Sequence, residues 1–141
     1  MAKVTAKIIR KGKRKDVDYE PQVRQLIGRA GNLVRNTAVS SINQGAKSGV
    51  LYEKYNPRRT HKASAAGEPP ATDTGFLVNN ITIVMDIADK GLSANVESRA
   101  DYSSFLEFGT SKMAARPFMQ PALEENKPKI KRLARQMVKA K

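Results

Sequence analysis

Apolar positions recur at three- and four-residue steps between 20 and 46: Val23, Leu26, Ile27, Ala30, Leu33, Val34, Thr37, Ala38 and Ile42. That spacing predicts a long helix with one buried face. Pro21 suits the first helical turn, where a missing N–H leaves nothing unpaired. Asp16, Asp18 and Glu20 place negative charge at the positive end of the helix dipole. Arg24, Arg29, Arg35 and Asn36 lie largely off the stripe. Gly28 and Gly31 each cost about 1 kcal/mol relative to alanine in a helix. Either they permit a close helix–sheet or subunit approach, or they are local weak points.

Farther along, the period changes to two. Ile81, Ile83, Met85 and Ile87 alternate with Thr82, Val84, Asp86 and Ala88, and Leu92, Ala94, Val96 and Ser98 alternate again. With Asp89-Lys90-Gly91 as the turn, this predicts a half-buried antiparallel hairpin, 81–88 with 92–98. A short helical turn is expected just before it, capped by Asp73 or Thr74, with Phe76, Leu77 and Ile81 as its apolar side. Tyr102, Phe105 and Leu106 fit one face of a short helix that Gly109 stops. A last helix is expected over 117–141, with Leu123, Ile130, Leu133, Ala134, Met137 and Val138 as its stripe. Pro128 inside that pattern should kink it or split it in two. Residues 2–10 suit a short edge strand or an ordered arm. The span 47–73 breaks all periodicity and is expected to be a long projecting loop that orders against a neighbour.

The predicted fold is α+β: a long N-terminal helix and a C-terminal helix packed on a small antiparallel, hairpin-based sheet, with that loop projecting. The expected division is a basic arm over 1–15, an α+β domain over 16–126 and a basic C-terminal helix over 127–141. At 141 residues the chain suits one domain with one modest core. Aromatics are only 6% and Trp is absent, so that core must rest on aliphatic residues.

Net charge is +13, and its distribution matters more than its size. Seven basic residues lie in 1–15, among them Lys11, Lys13, Arg14 and Lys15, and seven more in 127–141, among them Lys131, Arg132 and Arg135. Neither span holds an acid, so the middle is nearly neutral. Two basic ends on a neutral body suit a polyanion or an acidic protein as neighbour, or are solvated tails. Absence of Cys excludes a disulfide framework, a thiolate metal site and a Cys nucleophile. No apolar run is long enough to span a membrane or to act as a secretory signal.

Catalytic patterns are missing. His61 is the only histidine and sits in the aperiodic span, so it cannot supply a clustered metal site. No nucleophile elbow surrounds any Ser and no Gly-rich phosphate loop is present. Glu107 beside Phe108-Gly109 is read as an acceptor of backbone N–H bonds from the following loop. The chain is expected to be no enzyme and to use no cofactor. Residues 102–121 read as a packed junction between two elements, with Lys112 and Arg116 on its exposed rim.

One ordered series of residues carries a resemblance. Ser64-Ala65-Ala66-Gly67-Glu68-Pro69-Pro70-Ala71-Thr72-Asp73-Thr74-Gly75 is followed by a short helix and an Ile-rich strand. Then come Tyr102…Leu106-Glu107-Phe108-Gly109-Thr110-Ser111-Lys112-Met113…Arg116-Pro117-Phe118…Pro121-Ala122-Leu123. From about 60 to 125 this resembles the head–tail junction proteins of long-tailed bacteriophages, the neck or tail-completion family. The basic N-terminal arm lies outside the resemblance.

The resemblance implies a structural virion protein, assembled in the host cytoplasm, that forms a ring around the DNA channel at the neck or tail top. A hexamer is implied, with head-completion and tail-terminator or tail-tube proteins as neighbours. Phe105, Phe108, Gly109, Thr110, Arg116 and Phe118 are the expected ring-interface residues, and Arg58, Arg59 and Lys62 the expected contacts of the projecting loop. Lys11, Lys13, Arg14, Lys15, Lys131, Arg132 and Arg135 are the expected DNA-facing residues, touching packaged DNA without reading its sequence. The competing reading is a small basic nucleic-acid-binding protein that uses both ends as phosphate clamps. It has no recognised binding motif and few aromatics for base stacking.

Overall fold

A computed structural model describes residues 2–4, 20–88 and 91–139. Lys11, Lys13, Arg14 and Lys15, the acids Asp16 and Asp18, and the turn residues Asp89 and Lys90 lie outside the described residues. Chain order is β1 (Ala2–Val4), α1 (Glu20–Gln44), β2 (Leu51–Tyr55), β3 (Arg58–Lys62), α2 (Phe76–Asn79), β4 (Ile81–Ala88), β5 (Gly91–Ser98), α3 (Ser103–Phe108) and α4 (Met119–Lys139).

Strand β5 is the centre of a three-stranded antiparallel sheet, β1-β5-β4. Ile83 faces Val96 and Met85 faces Ala94, as the alternation requires, and Ala2 to Val4 pair with Val96 to Ala94. Helix α1 lies across this sheet. Val23, Ile27, Ala30, Val34, Ala38 and Ile42 are buried along one face, against Ile81, Ala94 and Val96. Gly31 makes the approach possible: a methyl group there would meet Ile83 Cγ2 at 3.2 Å and the Ala94 Cβ at 3.5 Å. Gly28 faces open space, so only one of the two glycines is set by packing.

Helix α4 runs against α1 and completes the core with Phe118, Met119 and Ala122. Its deepest side chain is polar. Asn126 is fully buried, and its Nδ2 donates to Thr37 Oγ1 and to the Ala122 carbonyl, both at 2.8 Å. Pro128 sits inside a helix assigned without a break, so the expected split does not occur. The start of the helix also moves, from 117 to Met119.

Two local expectations change. No side chain caps α2 in full: Gly75, in the left-handed region at φ 78°, occupies the cap, and Thr74 Oγ1 accepts from the Phe76 N–H at 3.4 Å. Asp73 turns instead toward the hairpin β2–β3. The span 47–73 is not an aperiodic loop awaiting a neighbour. It holds this five-on-five antiparallel hairpin, closed at its base by bonds from Gly49 N–H to the Ala63 carbonyl (3.0 Å) and from Ala63 N–H to the Val50 carbonyl (2.9 Å). Both of its faces are largely solvated, which removes the apolar alternation that identifies a strand.

Candidate functional site

The segment from Tyr102 to Pro121 joins α3 to α4, and a buried carboxylate organises it. Glu107 accepts three backbone N–H bonds, from Phe118 (2.9 Å), Met119 (3.0 Å) and Gln120 (2.8 Å). These donors open α4, where no carbonyl of the same helix can reach them. The negative charge also faces the positive end of the helix dipole. Glu107 therefore acts as a cap supplied from another helix, and its partners are the first turn of α4 rather than a loop.

Gly109 makes the sharp exit from α3 that brings the chain round to this cap. Its φ is 75° and ψ 179°, and a Cβ would meet Ala115 N and Met113 O at 2.8 Å each. Thr110 closes the turn. Its N–H donates to Met113 O at 2.8 Å, and its Oγ1 accepts from the Lys112 and Met113 N–H groups. The Arg116 N–H then returns to Leu106 O at 2.6 Å.

The structure sorts the expected interface residues. Phe118 is buried in the core and presents no surface. Gly109 and Thr110 shape the turn. Arg116 is half-buried rather than on an exposed rim, whereas Lys112 is exposed. Phe105 and Phe108 point outward, so the aromatic cluster is not packed within its own chain. Tyr102 and Phe76 join them, with ring centroids 6.2 Å apart. Burial of part of Tyr102 pushes its hydroxyl pKa up. Phe76 was read as the inner side of its short helix, and its exposure comes from the Gly75 turn, which leaves Leu77 as the buried residue.

The hairpin is tied to the body by charge. Asp73 binds Lys54 and Arg59, the latter at 2.8 Å, and lies 4.0 Å from His61 Nδ1. The hydrogen bond from Lys54, more than the neighbouring cations, holds the Asp73 carboxyl below its ordinary value. Arg59 is thus an internal anchor, while Arg58 and Lys62 are exposed. At the hairpin base, Glu68 accepts from Ser48 Oγ (2.5 Å), Ser48 N–H and Ala65 N–H (2.8 Å each). The Ser48 hydroxyl and these two amides hold its pKa at about 2. Burial lowers the pKa of Lys47, with Glu68 opposing, and its ammonium donates to the Ser41 and Pro69 carbonyls.

On α4, Lys127 and Lys129 pair with Glu124 and Glu125. Lys131, Arg132 and Arg135 are exposed, and among the described residues no acid pairs with them. A cleft of about 450 Å³ opens between the 98–101 turn and α3, with Ser98, Arg99, Ser103 and Glu107 on its wall. Its one buried carboxylate already holds three N–H groups. Among the described residues no group of three or more His, Cys, Asp or Glu could hold a metal ion, and no helix is long and apolar enough to cross a membrane.

A family model described as "Bacteriophage HK97-gp10, putative tail-component" matches residues 1–109. The match takes in the N-terminal arm, which the sequence resemblance left out, and α1, which precedes its span of 60–125 and is compatible with it, and it ends at the Gly109 turn. No curated protein and no solved structure matches the chain.

Proposed function

We propose, from the premise that this chain belongs to the HK97-gp10-like family of bacteriophage tail components, that it works as a ring at the junction of head and tail. A tail component is part of the virion. The finer reading is that identical copies, six in number, close around the DNA channel at the neck or top of the tail. Head-completion and tail-terminator or tail-tube proteins stack above and below.

The observation that carries this reading is the aromatic surface of Phe76, Tyr102, Phe105 and Phe108, left open on a chain whose core is otherwise closed. The largest apolar patch on a soluble monomer is typically about 300–600 Å² and is often where a partner docks. A heterologous contact repeated by rotation closes a ring. Catalysis has no part in this function; geometry does the work. The basic face of α4 carries Lys131, Arg132 and Arg135, which would screen passing phosphates without reading bases.

Particle reconstruction tests the placement. Finding the chain as a ring between head and tail is expected, and finding it elsewhere in the virion removes the neck assignment. The exposed basic face of α4 also favours a second reading, free binding to nucleic acid. If about six phosphates were neutralised, log affinity would fall with log salt at a slope near −5. No duplex binding at low salt discards that reading.

A further inference from the structure

We propose that the outward face of the β2–β3 hairpin docks on the aromatic stripe of α2 and α3 in a second copy of the chain. This rests on the ring reading above and names the contact that would build it.

The strand register divides the hairpin into two faces. Tyr52, Lys54, Arg59 and His61 lie on one; the last three are held at Asp73, while Tyr52 at the base stays 52% exposed. Leu51, Glu53 and Tyr55 lie on the other, opposite Lys62, Thr60 and Arg58, and all six are exposed. The charge anchor fixes which side faces the body, so Leu51 and Tyr55 point away from their own chain. Nothing in that chain covers them: Tyr55 is 74% exposed and Leu51 61%. Leu51 and Tyr55 add nothing to the core from this face, which leaves them available to a partner.

The stripe is the second unpartnered surface. Three-residue steps place Tyr102, Phe105 and Phe108 along one side of α3, and Phe76 extends it through its contact with Tyr102. Phe108 is 72% exposed and Phe105 56%.

Area supports pairing the two. Aromatic side chains carry roughly 200 Å² each, so the stripe offers about 450 Å² of apolar surface. Leu51 and Tyr55 on the outward hairpin face add about 250 Å². A standard interface of about 1,600 Å² is a little over half apolar, or about 900 Å². The alkyl stems of Arg58 and Lys62 supply much of the difference. Charge is compatible with the pairing: the hairpin face carries Arg58 and Lys62, and exposed Asp101 adjoins Tyr102 in the chain. Each copy has one of each surface, on different elements, so a contact made in one sense only is head-to-tail and repeats.

Because the chain contains no cysteine, engineered thiols report one contact at a time. Tyr55→Cys and Phe105→Cys are placed in separate full-length chains, mixed and mildly oxidised. The control pair is Gln136→Cys with Phe105→Cys, Gln136 being exposed on α4. Docking raises the effective thiol concentration, so the test pair should cross-link at least about tenfold faster than the control. Equal rates overturn the contact. Melting curves confirm that each variant folds, and Phe108→Cys replaces Phe105→Cys if that one does not. A native ring seen by mass without the preferential cross-link overturns this contact and leaves the ring reading standing. Preferential cross-linking in chains that never close into a ring supports the contact and removes the ring reading.

Discussion

Removing the Glu107 carboxylate tests how the junction is held. Glu107→Ala strips three acceptor bonds from the N-terminus of α4. Phe118 and Met119 are buried, so water entering the cleft beside Glu107 replaces the carboxylate at their N–H groups only in part. Each stranded donor costs about 1–1.5 kcal/mol, at the low end for a buried unsatisfied group. Loss of a charge at the helix dipole adds about 0.5–1 kcal/mol. The expected destabilisation is therefore about 3 kcal/mol, in the upper range for a single substitution. Urea denaturation followed by circular dichroism measures it directly. In thermal melts the same loss corresponds to a fall of roughly 10 °C for a chain of this size. Glu107→Gln keeps an acceptor oxygen but not the charge, and should cost about half as much. An alanine variant within about 0.5 kcal/mol of the parent, the range of an ordinary surface change, would refute the capping argument.

The two kinds of glycine separate cleanly. Gly109→Ala combines a Gly-only backbone region with contacts of 2.8 Å and should cost about 3 kcal/mol in the same urea assay. Gly28→Ala, with open space around it, should instead stabilise the protein by about 0.5–1 kcal/mol. Glu68 has its folded pKa held at about 2, below its ordinary 4.5, so its contribution is complete at neutral pH and is lost as pH falls from about 4.5 toward about 2. Hydrogen exchange at the Ser48 and Ala65 amides should show protection fading across that window, and Glu68→Gln should abolish the pH dependence. Asp73→Asn weakens the anchor of the hairpin, so trypsin should cut at Arg58, Arg59 or Lys62 faster than in the parent while the melting of the body changes little; unchanged cleavage would show that the hairpin is held by its base alone.

Elements with one buried face were legible in the sequence. Helix α1 and the β4–β5 hairpin have a wet side and a dry side, and the periods of 3.6 and 2 record that contrast. The β2–β3 hairpin has water on both faces, so Leu51, Glu53 and Tyr55 show no contrast with Tyr52 and Lys54. Only the pair Asn56-Pro57 between two five-residue runs marked its turn. Asn126 was hidden for the opposite reason: a polar residue in the deepest position of α4 looks like a solvent-facing one until Thr37 is brought beside it. Phe118 was expected at the ring interface from the resemblance, yet the return of Arg116 N–H to Leu106 turns the chain inward and buries it. Glu107 was readable as a backbone acceptor, but its partners depended on where α4 begins.

The junction links three surfaces that an assembly would use. Helix α3 carries Phe105 and Phe108 outward and, from its opposite side, the Glu107 cap inward to α4. Successive turns of a short helix cannot rotate independently, so the cap that fixes α4 also fixes the direction of the stripe. The same segment reaches the base of the β2–β3 hairpin, because the Gly67 N–H donates to Ala115 O at 2.9 Å, next to the Glu68 clamp. A displacement of the hairpin would therefore be felt at 113–116, and through Arg116 and Glu107 at the start of the basic helix. In a ring, docking of one copy's β2–β3 hairpin on the next copy's stripe would press on this connection from both ends. Loosening it at Glu107 should then weaken association between copies more than truncating a single exposed aromatic, although Glu107 itself touches no neighbour. Sedimentation of Glu107→Gln beside Phe108→Ala separates the two effects. Equal or weaker loss of association in the glutamine variant would show that the stripe binds without needing the junction to orient it.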